Sequence, residues 1–158
     1  MKKLFIVIIF LQLSLSSVGQ KKTPEGHWLL QYLATFEDSV NGKIKHKEFI
    51  DKEFADTNYR YASVDASKKT VYAHTPCNHI TLYEYFITSE NKIGAKGGRR
   101  TEKYCIDIRS SYWENMIGRG WDTPYFTASK DTLKLYIDQK DMKGILVYSR
   151  LKKKFQEE

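Results

Sequence analysis

TPCNHITLYEYFITSENKIGAKGGRRTEKYC, residues Thr75 to Cys105, is the stretch whose reading decides the fold. Its ends carry the only two cysteines of the chain, Cys77 and Cys105. Pro76 ends whatever strand precedes it, because proline has no N–H to give to a ladder. Ile80 to Ile87 then places apolar groups on both faces, Ile80, Leu82 and Phe86 against Tyr83, Tyr85 and Ile87. That pattern predicts a central strand buried on both sides. Ser89-Glu90-Asn91-Lys92 reads as a turn, and Ile93 to Gly98 as a short, glycine-rich, basic segment.

Upstream the chain reads as strands leading in. Gly26 to Leu33 is the first, with Trp28, Leu30 and Tyr32 on one face and Leu29, Gln31 and Leu33 on the other. Asn41-Gly42 is a strong hairpin signal. Ile44 to Ile50, studded with lysines, fits an exposed edge. A polar connection over 51–58 leads to strands at Tyr59–Val64 and Thr70–Thr75, joined by a turn over 65–69.

Downstream, Ser111-Tyr-Trp-Glu114 has the spacing of a capping box and opens a short helix. Trp113, Met116 and Ile117 form its apolar stripe, and Gly118 and Gly120 end it. Strands follow at Tyr125–Ala128, over Leu133, Leu135 and Ile137, and at Gly144–Leu151. Short strands at close spacing with one helix before the last ones predict a β-rich α+β fold. It is a single domain whose antiparallel sheet curls into a partly open barrel. The expected core is Trp28, Leu30, Tyr32, Val71, Ala73, Ile80, Leu82, Phe86, Trp113, Met116, Leu133, Leu135, Ile145 and Val147.

The length of 158 residues suits one domain, and 14% aromatic residues suit β structure. Met1-Lys2-Lys3, the apolar run Leu4–Leu13 and the small polar Ser14–Gly19 have the layout of a secretory signal peptide, with cleavage between Gly19 and Gln20. The apolar run is too short to span a bilayer. The chain thus divides into a signal peptide (1–19), a lead-in (20–25), the domain (26–152) and a charged tail (153–158). Removing Lys2 and Lys3 takes the formal charge from +7 to about +5. No cysteine stands near the cleavage point to carry a lipid, so the mature protein is expected in the periplasm or outside the cell without an anchor. In an oxidising compartment two cysteines pair more often than they stay free. Cys77 and Cys105 are therefore candidates for a disulfide, two buried thiols being the alternative.

The ordered set Gly26-x-Trp28, Cys77-Asn78, Thr101-x-x-x-Cys105, Glu114, then Tyr125 or Phe126 with Asp131, Leu133 and Leu135 resembles the META domain, the family of the heat-shock protein HslJ. The resemblance covers nearly all of the mature chain. Pro76, Arg99 and Arg100 stand where the family has small residues. Membership implies a small exported or envelope β-rich domain, linked to stress or envelope integrity, with no established catalytic residues.

The residues themselves point the same way. His74-x-x-Cys77-x-His79 with Cys105 has zinc-ligand types, but alternation along a strand sets position 74 opposite to 77 and 79 unless Pro76 kinks the chain. Cys77 beside His79 lacks an orienting acid or a helix N-terminus to activate a thiol. Gly94 to Gly98 lacks the strand–loop–helix context of a phosphate cradle. No cofactor, metal or catalytic set is expected. Lys92, Lys96, Arg99, Arg100 and Lys103 form a basic group. It reads as a solvated face, or as a contact for an anionic envelope component; export argues against nucleic acid. The expected function is a non-enzymatic binding or structural module of the envelope. The alternative is a lipocalin-like carrier with a ligand cavity inside an eight-stranded barrel.

Overall fold

The computed structural model of the protein describes residues 23–38, 43–49, 60–122, 124–139 and 142–152. The proposed signal peptide, its Gly19/Gln20 cleavage point, the Asn41-Gly42 turn, the 51–58 connection and the charged tail lie outside them. The strands are β1 (Gly26–Asp38), β2 (Lys43–Phe49), β3 (Tyr61–Asp65), β4 (Thr70–His74), β5 (His79–Tyr83), β6 (Phe86–Ile87), β7 (Ile93–Gly94), β8 (Gly97–Arg100), β9 (Tyr125–Ala128), β10 (Thr132–Gln139) and β11 (Met142–Arg150). The helix α1 (Ile108–Gly120) comes before β9. All pairings are antiparallel, in the order β8-β5-β4-β3-β1-β11-β10-β9, with β2 on the distal half of β1. The sheet curls into a half-barrel, and α1 packs on β10 and β11.

The open side between β8 and β9 is narrowed by the segment that enters β7. Ile93 donates its N–H to the Pro124 carbonyl at 3.0 Å, and Phe126 donates to Asn91 at 3.0 Å. Ile93 is fully buried there. The barrel interior is filled by large side chains: Trp28, Trp113, Trp121 and Tyr148 meet Leu30, Leu133, Leu135 and Leu146. Trp121 donates its indole N–H to the Tyr148 hydroxyl at 3.0 Å, so these two buried polar groups satisfy each other.

Most of the expected core is present, with instructive exceptions. The pairing of β1 with β11 shifts register between Leu30 and Tyr32. A bulge of this kind exchanges the two faces of a strand beyond it. Leu33 therefore enters the main core, and Tyr32 joins Ala34 in a smaller cluster on the outer face. Ile145 and Val147 belong to that outer cluster as well; Leu146 and Tyr148 are the β11 residues that point inward. Leu82 is only partly buried against the core.

The stretch 80–87 is not one central strand. Glu84 takes φ 48°, which breaks the run into β5 and β6 and turns the chain. Phe86, expected in the core, is half exposed, as is Tyr83. The helix also starts earlier than its capping-box reading. Asp107 is the N-cap, its carboxylate accepting from the Ser110 N–H at 2.7 Å. Ser111 lies inside the first turns, and Glu114 is released from any capping role.

Candidate functional site

The β4–β5 turn meets the 101–107 loop and the helix α1 that follows it. The turn is built by Thr75, whose hydroxyl donates to the Asn78 carbonyl at 2.8 Å and accepts from the Asn78 N–H at 3.0 Å. It presents Cys77 and Asn78 toward the helix. Cys77 and Cys105 form a disulfide with Cα atoms 5.6 Å apart. The bridge ties this turn to the loop before α1 rather than joining two strands.

Asn78 is buried, and its side chain makes all four hydrogen bonds available to an amide. Nδ2 donates to the Lys103 carbonyl and to Oε1 of Glu114, each at 3.0 Å. Oδ1 accepts from the Lys103 N–H at 2.7 Å and from the Thr101 hydroxyl at 3.0 Å. Thr101 in turn accepts from the His79 N–H at 3.0 Å. The amide thus stitches the 101–103 backbone to the start of β5.

Glu114 occupies the centre. Its Oε2 accepts from the Cys77 N–H at 3.2 Å, and its Oε1 pairs with Nη2 of Arg100 as well as with Asn78. The Glu114 side chain is 10% exposed and that of Arg100 45%, so the pair is shielded on the helix side and open on the other. Burial pushes the Glu114 carboxyl up. The polar groups around it, the nearby Thr75 hydroxyl with the Arg100, Asn78 and Cys77 N–H donors, outweigh that and hold it below its ordinary range. A charge-assisted set of donors therefore keeps an anion at the helix–sheet junction. Gly118 lets Arg100 lie flat on the helix, since a Cβ there would stand 2.9 Å from the guanidinium Nη1.

The structure thus brings together Cys77, Asn78, Thr101, Cys105 and Glu114, five of the residues singled out from the sequence. Trp28 lies apart in the core, its indole donating to the Pro24 carbonyl at 2.7 Å. Sequence reasoning missed the parts played by Thr75 and Arg100. The Thr75-x-x-Asn78 spacing of a side-chain turn was the available signal for the first. Arg100 was grouped with the basic residues and carried no signal of an ion pair.

The two sulfurs and a Glu114 oxygen lie within 4.8 Å of one another, but sulfurs joined in a disulfide are not thiolate ligands. The basic group is divided. Lys92 pairs with Glu90 at 3.0 Å, Lys96 with Glu84 at 2.8 Å, and Arg100 with Glu114, leaving Arg99 and Lys103 as the exposed members outside these pairs.

The histidine expectation needs correction. Residues 75–78 reverse the chain at Pro76, the case in which alternation along one strand does not apply, and His74 and His79 are direct partners across the β4–β5 hairpin. They line a cleft of about 400 Å³ with Pro76, Tyr104, Ile106 and Asp107. Tyr104, Ile106 and Ile108 stand fully out from the loop and the first helical turn beside it. No helix among the described residues is long and apolar enough to cross a membrane.

No protein-family model matches this sequence, and no curated protein does. Two solved structures share the fold. One is the NMR structure of a protein that is 19% identical, with TM-score 0.53, over 80% of this chain and 89% of that one. The other is the NMR structure of a protein from Burkholderia xenovorans, 13% identical, with TM-score 0.54, over 82% of this chain and 83% of that one. At these identities the likeness is one of architecture: this chain has the same half-barrel of antiparallel strands.

Proposed function

We propose that the protein is an exported, META-like domain that serves the cell envelope as a non-enzymatic binding or structural module. The observation that carries this reading is the convergence of Cys77, Asn78, Thr101, Cys105 and Glu114 on one saturated network. Every side chain in it is bonded to another part of the same chain: the thiols to each other, the amide four times, the carboxylate to three donor groups. Such a set fixes the helix on the sheet. A nucleophile, a general base or an open ligand position needs a group held in reserve, and this network holds none of its members in reserve.

Two further features support export. The N-terminal layout is that of a signal peptide, and a disulfide suits an oxidising compartment. The filled interior favours the module over the carrier, because a lipocalin-like protein needs a lined cavity where Trp28, Trp113 and Trp121 stand. The exposed Arg99 and Lys103 are the residues of the basic group best placed to meet an anionic envelope component.

The test is mass spectrometry of the protein recovered from its native host, under non-reducing denaturation. The expected result is a chain beginning at Gln20 with no free thiol and a peptide joining Cys77 to Cys105. A cytoplasmic chain beginning at Met1 with two free thiols overturns the reading.

A further inference from the structure

We propose that His74 and His79 form a two-imidazole site for a divalent transition-metal ion of the copper, nickel or zinc type. The inference is independent of the envelope role, since it rests on the hairpin alone. His74 and His79 face each other across the β4–β5 ladder, with ring centroids 4.9 Å apart and planes at 77°. Two imidazoles bound in cis to one ion, with metal–nitrogen bonds of about 2.0–2.1 Å, put their centroids about 4.5 Å apart in a square-planar arrangement and about 5.2 Å apart in a tetrahedral one. The observed spacing falls between those values.

A second observation points to a ligand. Nδ1 of His79 is buried and has no hydrogen-bond partner among the described residues. A buried polar nitrogen without a partner is uncommon, and a bound ion is one thing that satisfies it. The rings are held upright by aromatic neighbours: Tyr72 packs edge-on against His74 at 4.8 Å and stacks on His79 at 5.9 Å. Ordering the rings in advance removes part of the entropy cost of closing a chelate.

The cleft in front of the pair supplies the rest of a coordination sphere. Its about 400 Å³ leaves room for water or for a small oxygen ligand carried in with the ion. The charged groups that line it are Asp107 and Lys103, of opposite sign. Asp107 is ionised below its ordinary range because the Ser110 hydroxyl and N–H donate to it. Imidazole nitrogen with water or carboxylate oxygen suits copper, nickel or zinc rather than calcium or magnesium, and copper binds such sites most tightly. The disulfide separates this site from a thiolate one, because it removes both cysteines as competing ligands.

The test is titration of the untagged, oxidised, full-length mature protein with Cu²⁺ and Zn²⁺, with Ca²⁺ as control, read by calorimetry. One Cu²⁺ is expected to bind per chain at pH 7.5, and calcium not at all. His74→Asn or His79→Asn should each weaken copper binding at least about tenfold, since even outer partners of a metal ligand are worth 10–100-fold. His27→Asn and His46→Asn should leave it unchanged. The wild-type copper complex gives a readout that needs no variant: its electron spin-echo modulation should show two equatorial imidazoles. No binding overturns the proposal. So does one imidazole or none, equal affinity in the His74→Asn protein, or binding that arises only after reduction and therefore belongs to Cys77 and Cys105.

Discussion

Glu114 accepts from the side chain of Asn78 at 3.0 Å, across 36 positions of sequence, and through that contact the helix is fastened to the hairpin at the far end of the sheet. The same carboxylate also takes the Cys77 N–H and the Arg100 guanidinium. Removing it orphans three donors at once. Glu114→Ala is expected to cost about 2–4 kcal/mol, from buried donors left unmade and discounted for the partial exposure of Arg100. Urea denaturation at pH 7 measures it.

The same residue gives the fold an acid limb. Its folded carboxyl titrates below the ordinary value of 4.5, so its stabilisation is fully present above about pH 4.5 and is lost as pH falls through the folded value. Wild-type stability should therefore drop on acidification to pH 3 by more than that of Glu114→Gln. Equal slopes for the two proteins would place the acid sensitivity elsewhere, at the exposed Asp65 and Asp107, which also titrate low.

The disulfide closes a loop of about 29 residues, worth about 3–4 kcal/mol by loop entropy. Cys77→Ala with Cys105→Ala should lower the denaturation midpoint accordingly. The backbone of 101–103 should remain placed, because Asn78 holds it independently through Lys103 and Thr101. Hydrogen exchange at the Lys103 amide separates the two contributions.

Gly120 offers a case where helix propensity and packing disagree in sign. An alanine in a helix gains about 1 kcal/mol over glycine. Here an added Cβ would overlap Cδ1 of the fully buried Leu146 and stand 3.2 Å from its Cγ. Overpacking of this kind costs about 1–3 kcal/mol, so Gly120→Ala should destabilise. A rise in melting temperature would show that α1 is loosely seated on β11.

Trp113 is 2% exposed and belongs to the central cluster. Trp113→Ala should cost about 3–5 kcal/mol. A loss below about 1 kcal/mol would make the helix peripheral to the fold.

Strand positions and the helix stripe were legible because period-2 alternation in Leu133, Leu135 and Ile137 and the 113/116/117 spacing report burial directly. What escaped was everything that shifts phase. The bulge between Leu30 and Tyr32 moves Leu33 inward, and the positive φ of Glu84 divides the run from Ile80. Neither leaves a composition signal. The site was half legible: Cys77, Asn78, Thr101, Cys105 and Glu114 were picked as a linear motif, but their mutual bonding is a tertiary fact. The reversal at 75–78 hid the pairing of His74 with His79, because parity holds only within one strand.

β1 is flanked on one edge by β2 and β3 and on the other by β11. Gln31 bonds to Ser149, 118 positions away. The first described strand thus waits for the last before its second edge is covered and before Trp28 and Leu30 meet Leu146 and Tyr148. Closure of so distant a contact is slow, and an incomplete chain cannot reach it. The topology therefore delays folding until synthesis has passed residue 150, so that a nascent chain stays pliable until its last strand is made.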